Sequence, residues 1–192
     1  SNLGNILKDL SKLKEAEISY QEAIKLKPDF INAHFNIGNI LKNQGKLKEA
    51  EISFRKATEL KPNFSVGHLY LGDLQKDLGK LEEAEISFRK ALELKPNFAE
   101  GHLNLGNILQ NLSKLKEAKL SFLKAIDLNP NFAEAHFNLG NILQNQENFK
   151  EAENSYRKAI DLNPNFAEAH FNLGNILQNQ ENFKEAENSY RK

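Results

Sequence analysis

Residues 124–158 read KAIDLNPNFAEAHFNLGNILQNQENFKEAENSYRK, and the same letters begin again at Lys158 and run to Lys192. Working outward from this stretch, one period governs the chain. All five prolines (Pro28, Pro62, Pro96, Pro130, Pro164) and all five histidines (His34, His68, His102, His136, His170) fall on a step of 34 residues. A small unit repeated at that step cannot bury its apolar face alone and must close it against its neighbours, which is the signature of a solenoid. The expected organisation is a single array over 1–192: a partial copy at 1–30, full copies at 31–64, 65–98, 99–132 and 133–166, and a partial copy at 167–192.

Within a copy, Ala135, Leu139, Ile142 and Leu143 fall on one side of a helical wheel, within roughly 100° of arc, so the stretch after Phe132 reads as an amphipathic helix. Phe149, Ala152, Tyr156, Ala159 and Ile160 follow with helical spacing and give a second apolar stripe facing the first. Proline, preceded by residues it biases away from helix, ends the second helix. Each unit is therefore a helical hairpin, and the fold class is all-α, a superhelical solenoid of helix-turn-helix units. Gly45 and Gly79 sit where the first helix must stop in a left-handed turn. Asn148 with Glu151 and Asn182 with Glu185 have the spacing of a capped start to the second helix. Asn97 with Glu100, Asn131 with Glu134 and Asn165 with Glu168 have it at the first helix. The pairs Glu51 with Arg55, Glu85 with Arg89 and Glu153 with Arg157 stand four apart, in the order that stabilises a solvated helix face.

Lys and Arg total 26 and Asp and Glu total 26, so no net charge draws the chain to nucleic acid or to an anionic membrane surface. Zero cysteines exclude disulfides, thiolate zinc sites and cysteine nucleophiles. Apolar runs are too short for a spanning helix, and a cytoplasmic setting is expected. No nucleophile, base and orienting group can be gathered from one repeated histidine and acids on outward faces, so catalysis and cofactors are not expected. Each unit supplies one imidazole, projected toward the buried side, where a zinc site normally needs three or four ligands. Packing is the expected role of the histidines.

His136-x-x-Leu139-Gly140-x-x-Leu143, followed by Ala152-x-x-x-Tyr156, Ala159 and Pro164, resembles the tetratricopeptide repeat along the whole chain. Histidine stands in the slot usually held by tryptophan, and leucine or Gln75 in the slot usually held by tyrosine. Phrases such as FAEAHFNLGNIL further resemble the superhelical arrays of the O-GlcNAc transferase type. That resemblance implies an asparagine ladder along a concave wall that holds the backbone of extended polypeptides. The matching positions are Asn2, Asn36, Asn104, Asn138 and Asn172, with Tyr70 interrupting the series. Asn39, Asn107, Asn141 and Asn175 repeat a second rung on the same polar stripe, with Asp73 as its exception.

A carboxamide carries both donor and acceptor, so it pairs with a peptide group whatever the side chain. Helices about 10 Å apart would offer one rung per roughly three residues of an extended guest. Glu100, Glu134 and Glu168 are open to two roles, gripping ligand side chains or capping helices. Phe35, Leu69, Leu103, Phe137 and Phe171 border the stripe as groove anchors or as packing. A clamp for a terminal carboxylate is excluded, because the slots that would carry its cations hold Phe35, Glu100, Asn104 and Glu134. The expected function is a non-catalytic scaffold for an extended protein or peptide partner. The alternatives are a substrate-docking fragment of a larger enzyme, or an array that stacks end to end on copies of itself.

Overall fold

The computed structural model describes residues 2–192, with side chains from residue 12 onward. All regular structure among these residues is helical. The elements are α1 (Asn2–Leu26), α2 (Ile31–Asn43), α3 (Leu47–Leu60), α4 (Ser65–Asp77), α5 (Leu81–Leu94), α6 (Ala99–Asn111), α7 (Leu115–Leu128), α8 (Ala133–Asn145), α9 (Phe149–Leu162), α10 (Ala167–Asn179) and α11 (Phe183–Tyr190). None is long and apolar enough to cross a membrane. The chain divides into two compact units, Ser1–Pro96 and Asn97–Lys192. Unit 1 packs α1 on α2, α2 on α3, α3 on α4 and α4 on α5; unit 2 packs α6 to α11 by the same succession.

Each hairpin closes through a glycine and a ring. Phe54, Phe88, Phe122 and Tyr156 are fully buried. Each lies against the glycine sixteen residues before it, Gly38, Gly72, Gly106 or Gly140. A Cβ on Gly106 would sit 2.5 Å from the Phe122 ring, and one on Gly140 would sit 2.6 Å from that of Tyr156. The rings occupy the space a side chain would fill, and Ala50, Ala84, Ala118 and Ala152, all 0% exposed, let the second helix approach to that depth. Gly67 works in the same way at the start of α4. A Cβ there would meet the Phe64 ring at 2.4 Å, so the glycine gives that ring its place rather than loosening the helix.

The turn between paired helices is left-handed in every described hairpin. Gly45 and Gly79 have φ of 75° and 72°, as expected. Ser113, Glu147 and Glu181 hold the same turn at 60°, 59° and 62°, without the residue that adopts it freely. Lys46, Lys80, Lys114, Asn148 and Asn182 then donate their backbone N–H to the carbonyl five residues back, which fixes the reversal.

Three expectations need correction. The first copy is not a hairpin: α1 runs unbroken past Ser11, where the other copies turn, although Leu10-Ser11-Lys12 matches the turning Leu112-Ser113-Lys114. Nothing in the local sequence explains that difference. The first helices are not capped by asparagine either. The flanking residue is Phe98, Phe132 or Phe166, none with a side-chain cap bond. Before Pro130 and Pro164 an asparagine shapes the approach instead, Asn129 Oδ1 accepting from the Asn131 amide at 3.2 Å and Asn163 Oδ1 from that of Asn165 at 3.3 Å. Asn148 and Asn182 do stand at the starts of α9 and α11, yet they bond no backbone amide; Asn182 Nδ2 donates to Glu185 at 2.9 Å. The acids Glu100, Glu134 and Glu168 therefore sit exposed in first turns, where their charge suits the helix dipole, and are not part of a capping box.

The third correction concerns the outer pairs, which do more than solvate a face. Glu51, only 6% exposed, accepts from Arg55 in its own helix and from Lys80 of the next hairpin at 2.7 Å. Arg55 also pairs with Glu83, and in unit 2 Arg157 bridges Glu153 at 2.9 Å and Glu185 at 2.7 Å. Burial of Glu51 works against its charge, but the hydrogen bonds from Lys80 and Arg55 outweigh it and hold the carboxyl below its usual range.

The histidines latch the loops. Nε2 of His34, His68, His136 and His170 lies 2.8, 3.0, 3.0 and 2.9 Å from the carbonyl oxygen of Pro28, Pro62, Pro130 and Pro164. A carbonyl only accepts, so Nε2 carries the proton.

Candidate functional site

The asparagine positions lie on the first helices of the hairpins, on the flank away from the buried leucines. In unit 2 they are Asn104 and Asn107 on α6, Asn138 and Asn141 on α8, and Asn172 and Asn175 on α10, all half-buried. In unit 1 they are Asn36 and Asn39 on α2 and Tyr70 and Asp73 on α4. The Asn2 side chain lies outside the described residues.

The structure brings the unit 2 asparagines together across hairpins. Asn138 Nδ2 donates to Asn107 Oδ1 at 2.8 Å, and Asn172 Nδ2 donates to Asn141 Oδ1 at 2.9 Å. The second rung of one copy thus holds the first rung of the next, 31 residues on. Each carboxamide has two donor hydrogens and two acceptor lone pairs, so one such bond leaves most of its capacity unspent. No other described side chain accepts from Asn107 Nδ2 or Asn141 Nδ2, or donates to the Oδ1 of Asn138 or Asn172. Asn36, Asn39 and Asn104 make no side-chain hydrogen bond to another described residue.

Tyr156 is the participant that sequence reasoning missed, having placed it only in the core. Its ring is buried, but its hydroxyl emerges between the amides, 2.8 Å from Asn141 Oδ1 and 2.6 Å from Gln144 Oε1, with Asn172 Nδ2 at 3.4 Å. Burial pushes this hydroxyl up to about 12, opposed by the Asn172 hydrogen bond, so it remains protonated through the neutral range. Tyr190 repeats the arrangement at Asn175 (2.8 Å) and Gln178 (3.0 Å). The letters alone do not single it out: Phe122 follows the same pair, Gln110 and Asn107, and Tyr20 stands in the same slot after Lys8 and Asn5.

Unit 1 fills the equivalent slots differently. Lys42 Nζ reaches Asp73 at 2.5 Å and Asp77 at 3.2 Å, and Lys76 reaches Asp73 at 3.0 Å. Burial disfavours both charges, yet the hydrogen bonds from Lys42 and Lys76 outweigh it at Asp73, whose carboxyl is held below its usual range. The bonds to Asp73 and Asp77 likewise hold Lys42 above its own.

Tyr70, 39% exposed, packs edge-on against Phe35 with ring centroids 5.1 Å apart, and lies 6.0 Å from Phe54. Phe35 also meets Phe64 at 5.2 Å, and in unit 2 Phe137 meets Phe166 at 4.7 Å, which settles these two as packing. Leu103 is 4% exposed and belongs to the core as well, whereas Phe171 remains 58% exposed beside Tyr190. Gln75, one of the third copy's departures, is 1% exposed. Turned so that its amide donates to Glu83 O (3.1 Å) and Ser87 Oγ (2.7 Å) and accepts from Arg55 (3.1 Å), it ties α3, α4 and α5 together.

No curated protein matches the chain. Among solved structures it is similar to YrrB, described as a TPR protein with an unusual peptide-binding site, at 26% identity and a TM-score of 0.76 over 88% of each chain. It is similar to MamA at 25% identity and a TM-score of 0.77, over 81% of this chain and 91% of that one. MamA from Desulfovibrio magneticus RS-1 shares the fold at 22% identity, with a TM-score of 0.78 over 84% and 91%. The Tetratricopeptide repeat profile matches residues 31–64 and 133–166, with a second profile of that name at 155–188. The TPR repeat profile matches 4–45, 72–113 and 111–147, more than half of the chain. With hairpins of this geometry repeated at this spacing, the chain belongs to the tetratricopeptide repeat family.

Proposed function

We propose that the chain is a protein-interaction scaffold that holds an extended polypeptide through the carboxamides of its first helices, without chemistry of its own. The observation that carries this is the pairing of Asn107 with Asn138 and of Asn141 with Asn172. Each pair is restrained by the bond between its members, the second also by the Tyr156 hydroxyl, yet each keeps free N–H groups and a free oxygen of the kinds that a peptide C=O and N–H require. Restraint before binding lowers the ordering cost of the complex. The similarity to YrrB, whose description names a peptide-binding site, and the resemblance of the repeat phrase to ladder-bearing arrays support the same reading.

In unit 1 the counterpart surface combines Tyr70 with the Lys42, Asp73, Lys76 and Asp77 cluster. There the guest would be read by side-chain character as well as by backbone. Replacing Asn104, Asn138 and Asn172 together with alanine tests the ladder. Binding to an unstructured-peptide library should fall by at least tenfold while the helical signal persists, given about 1 kcal/mol per lost hydrogen bond. Unchanged affinity in a folded triple variant would remove the ladder from the account.

A further inference from the structure

The two asparagine pairs of unit 2 differ in what lies beneath them. Under Asn107 and Gln110 the second helix presents Phe122, fully buried and without a polar atom. Under Asn141 and Gln144 it presents Tyr156, equally buried, whose hydroxyl lies within 3.4 Å of Asn141, Gln144 and Asn172. The ring cannot follow a moving amide, because it is wedged where a Gly140 Cβ would sit, 2.6 Å away. Its hydroxyl is therefore a fixed post. Asn141 Oδ1 accepts from it and from Asn172 Nδ2, so two carboxamides on different hairpins share one anchor in the core. The hydroxyl has a single hydrogen and faces two oxygens, Asn141 Oδ1 and Gln144 Oε1. It satisfies one of them at a time and leaves the other to accept an incoming N–H.

We infer that Tyr156 is a positioning residue that makes Asn141, Gln144 and Asn172 the preorganised anchor of the peptide site, where the Phe122 copy holds its asparagines only through each other. This rests on the proposed function and names its strongest subsite. A side chain held by packing and by a second hydrogen-bond shell loses less freedom when it grips a ligand, so the gain appears as affinity without a new contact to the guest.

The test exchanges the hydroxyl between the two copies, using the tightest-binding peptide from the unstructured library. Tyr156→Phe places in this slot the residue that Phe122 already is, and should leave the fold intact. It should weaken binding about fivefold, the worth of one hydrogen bond, and raise the side-chain amide mobility of Asn141 and Asn172 in nuclear magnetic relaxation. Phe122→Tyr should order Asn107 and Asn138 and restore affinity to the Tyr156→Phe protein. Full affinity in Tyr156→Phe overturns the inference, as does weakened binding with amides no more mobile, which would mark a packing effect. If no library peptide binds the unaltered chain, the ladder reading itself falls, an outcome distinct from both.

Discussion

In unit 2 the slot three residues after each second rung is glutamine (Gln110, Gln144, Gln178); in unit 1 it is lysine, Lys42 and Lys76. The backbone around them is the same hairpin and the core slots are nearly the same residues, yet one face is a row of neutral amides and the other a lattice of ions. Both connect hairpins across 31 residues, by Asn107 with Asn138 and Asn141 with Asn172 in one unit and by Lys42 with Asp73 in the other. Cohesion on this face thus needs a donor and an acceptor 31 residues apart and is indifferent to charge, although the slots differ: second rung to first rung in unit 2, the lysine slot to the second rung in unit 1. What charge changes is the response to the medium: exposed ion pairs weaken with salt and acid, amide pairs do not.

The contrast can be broken most forcefully through the glycines. Gly140→Ala should destabilise the chain by about 2 kcal/mol, because the new Cβ meets a ring with no room to retreat. At Gly72 the nearest ring atom would be 3.2 Å away. Alanine's gain in helix propensity, about 1 kcal/mol, then brings Gly72→Ala close to neutral. Denaturant unfolding of both variants checks the pair, and equal losses would show that the two cores are packed alike.

Next in size is Tyr70→Asn, which restores the ladder residue to unit 1. It should cost about 1–2 kcal/mol through the ring contacts with Phe35 and Phe54, read as a fall in melting temperature. A neutral result would mean that Tyr70 is held by something other than packing. Glu147→Gly should move stability the other way, by about 1 kcal/mol, since the turn demands a positive φ that glutamate adopts at a cost. The reverse change, Gly79→Glu, should lose a similar amount.

Acid gives the smallest and most selective effect. Asp73 is held below its usual range, so the stability it contributes is present above the unfolded carboxylate value of about 3.9 and is lost as pH falls through the folded one. Below about pH 4, hydrogen exchange in α2 and α4 should quicken by an amount worth under about 1 kcal/mol. The Asn141 and Asn172 pair should be unmoved. In Asp73→Asn the acid step attributable to this group should vanish from α2 and α4.

Helix pairs, their lengths and their core faces were legible because a period of 34 residues and the slots of glycine, alanine and aromatic rings are read directly from letters. The asparagines were legible as a stripe but not as cross-linked pairs, since the contact joins residues on different hairpins and depends on how adjacent hairpins sit. Tyr156 escaped for a related reason: its ring belongs to the core pattern, and only three dimensions show its hydroxyl reaching the far side. Glu51 reads as a solvated partner of Arg55 until Lys80 closes over it. The asparagine caps failed because the Pro-Asn-Phe loop places phenylalanine, driven inward by its ring, at the position where a cap would act.

The contact between His34, His68, His136 or His170 and the proline carbonyl six residues back straddles the seam between one copy and the next, Pro28 ending one and His34 beginning another. Each full copy carries both halves of the clasp, a histidine near its start and a proline near its end, so one full copy can follow another by the same joint. A chain that lengthens or shortens by whole copies meets no mismatched joint, and the verbatim repetition from Lys158 onward is what such frictionless duplication would leave behind.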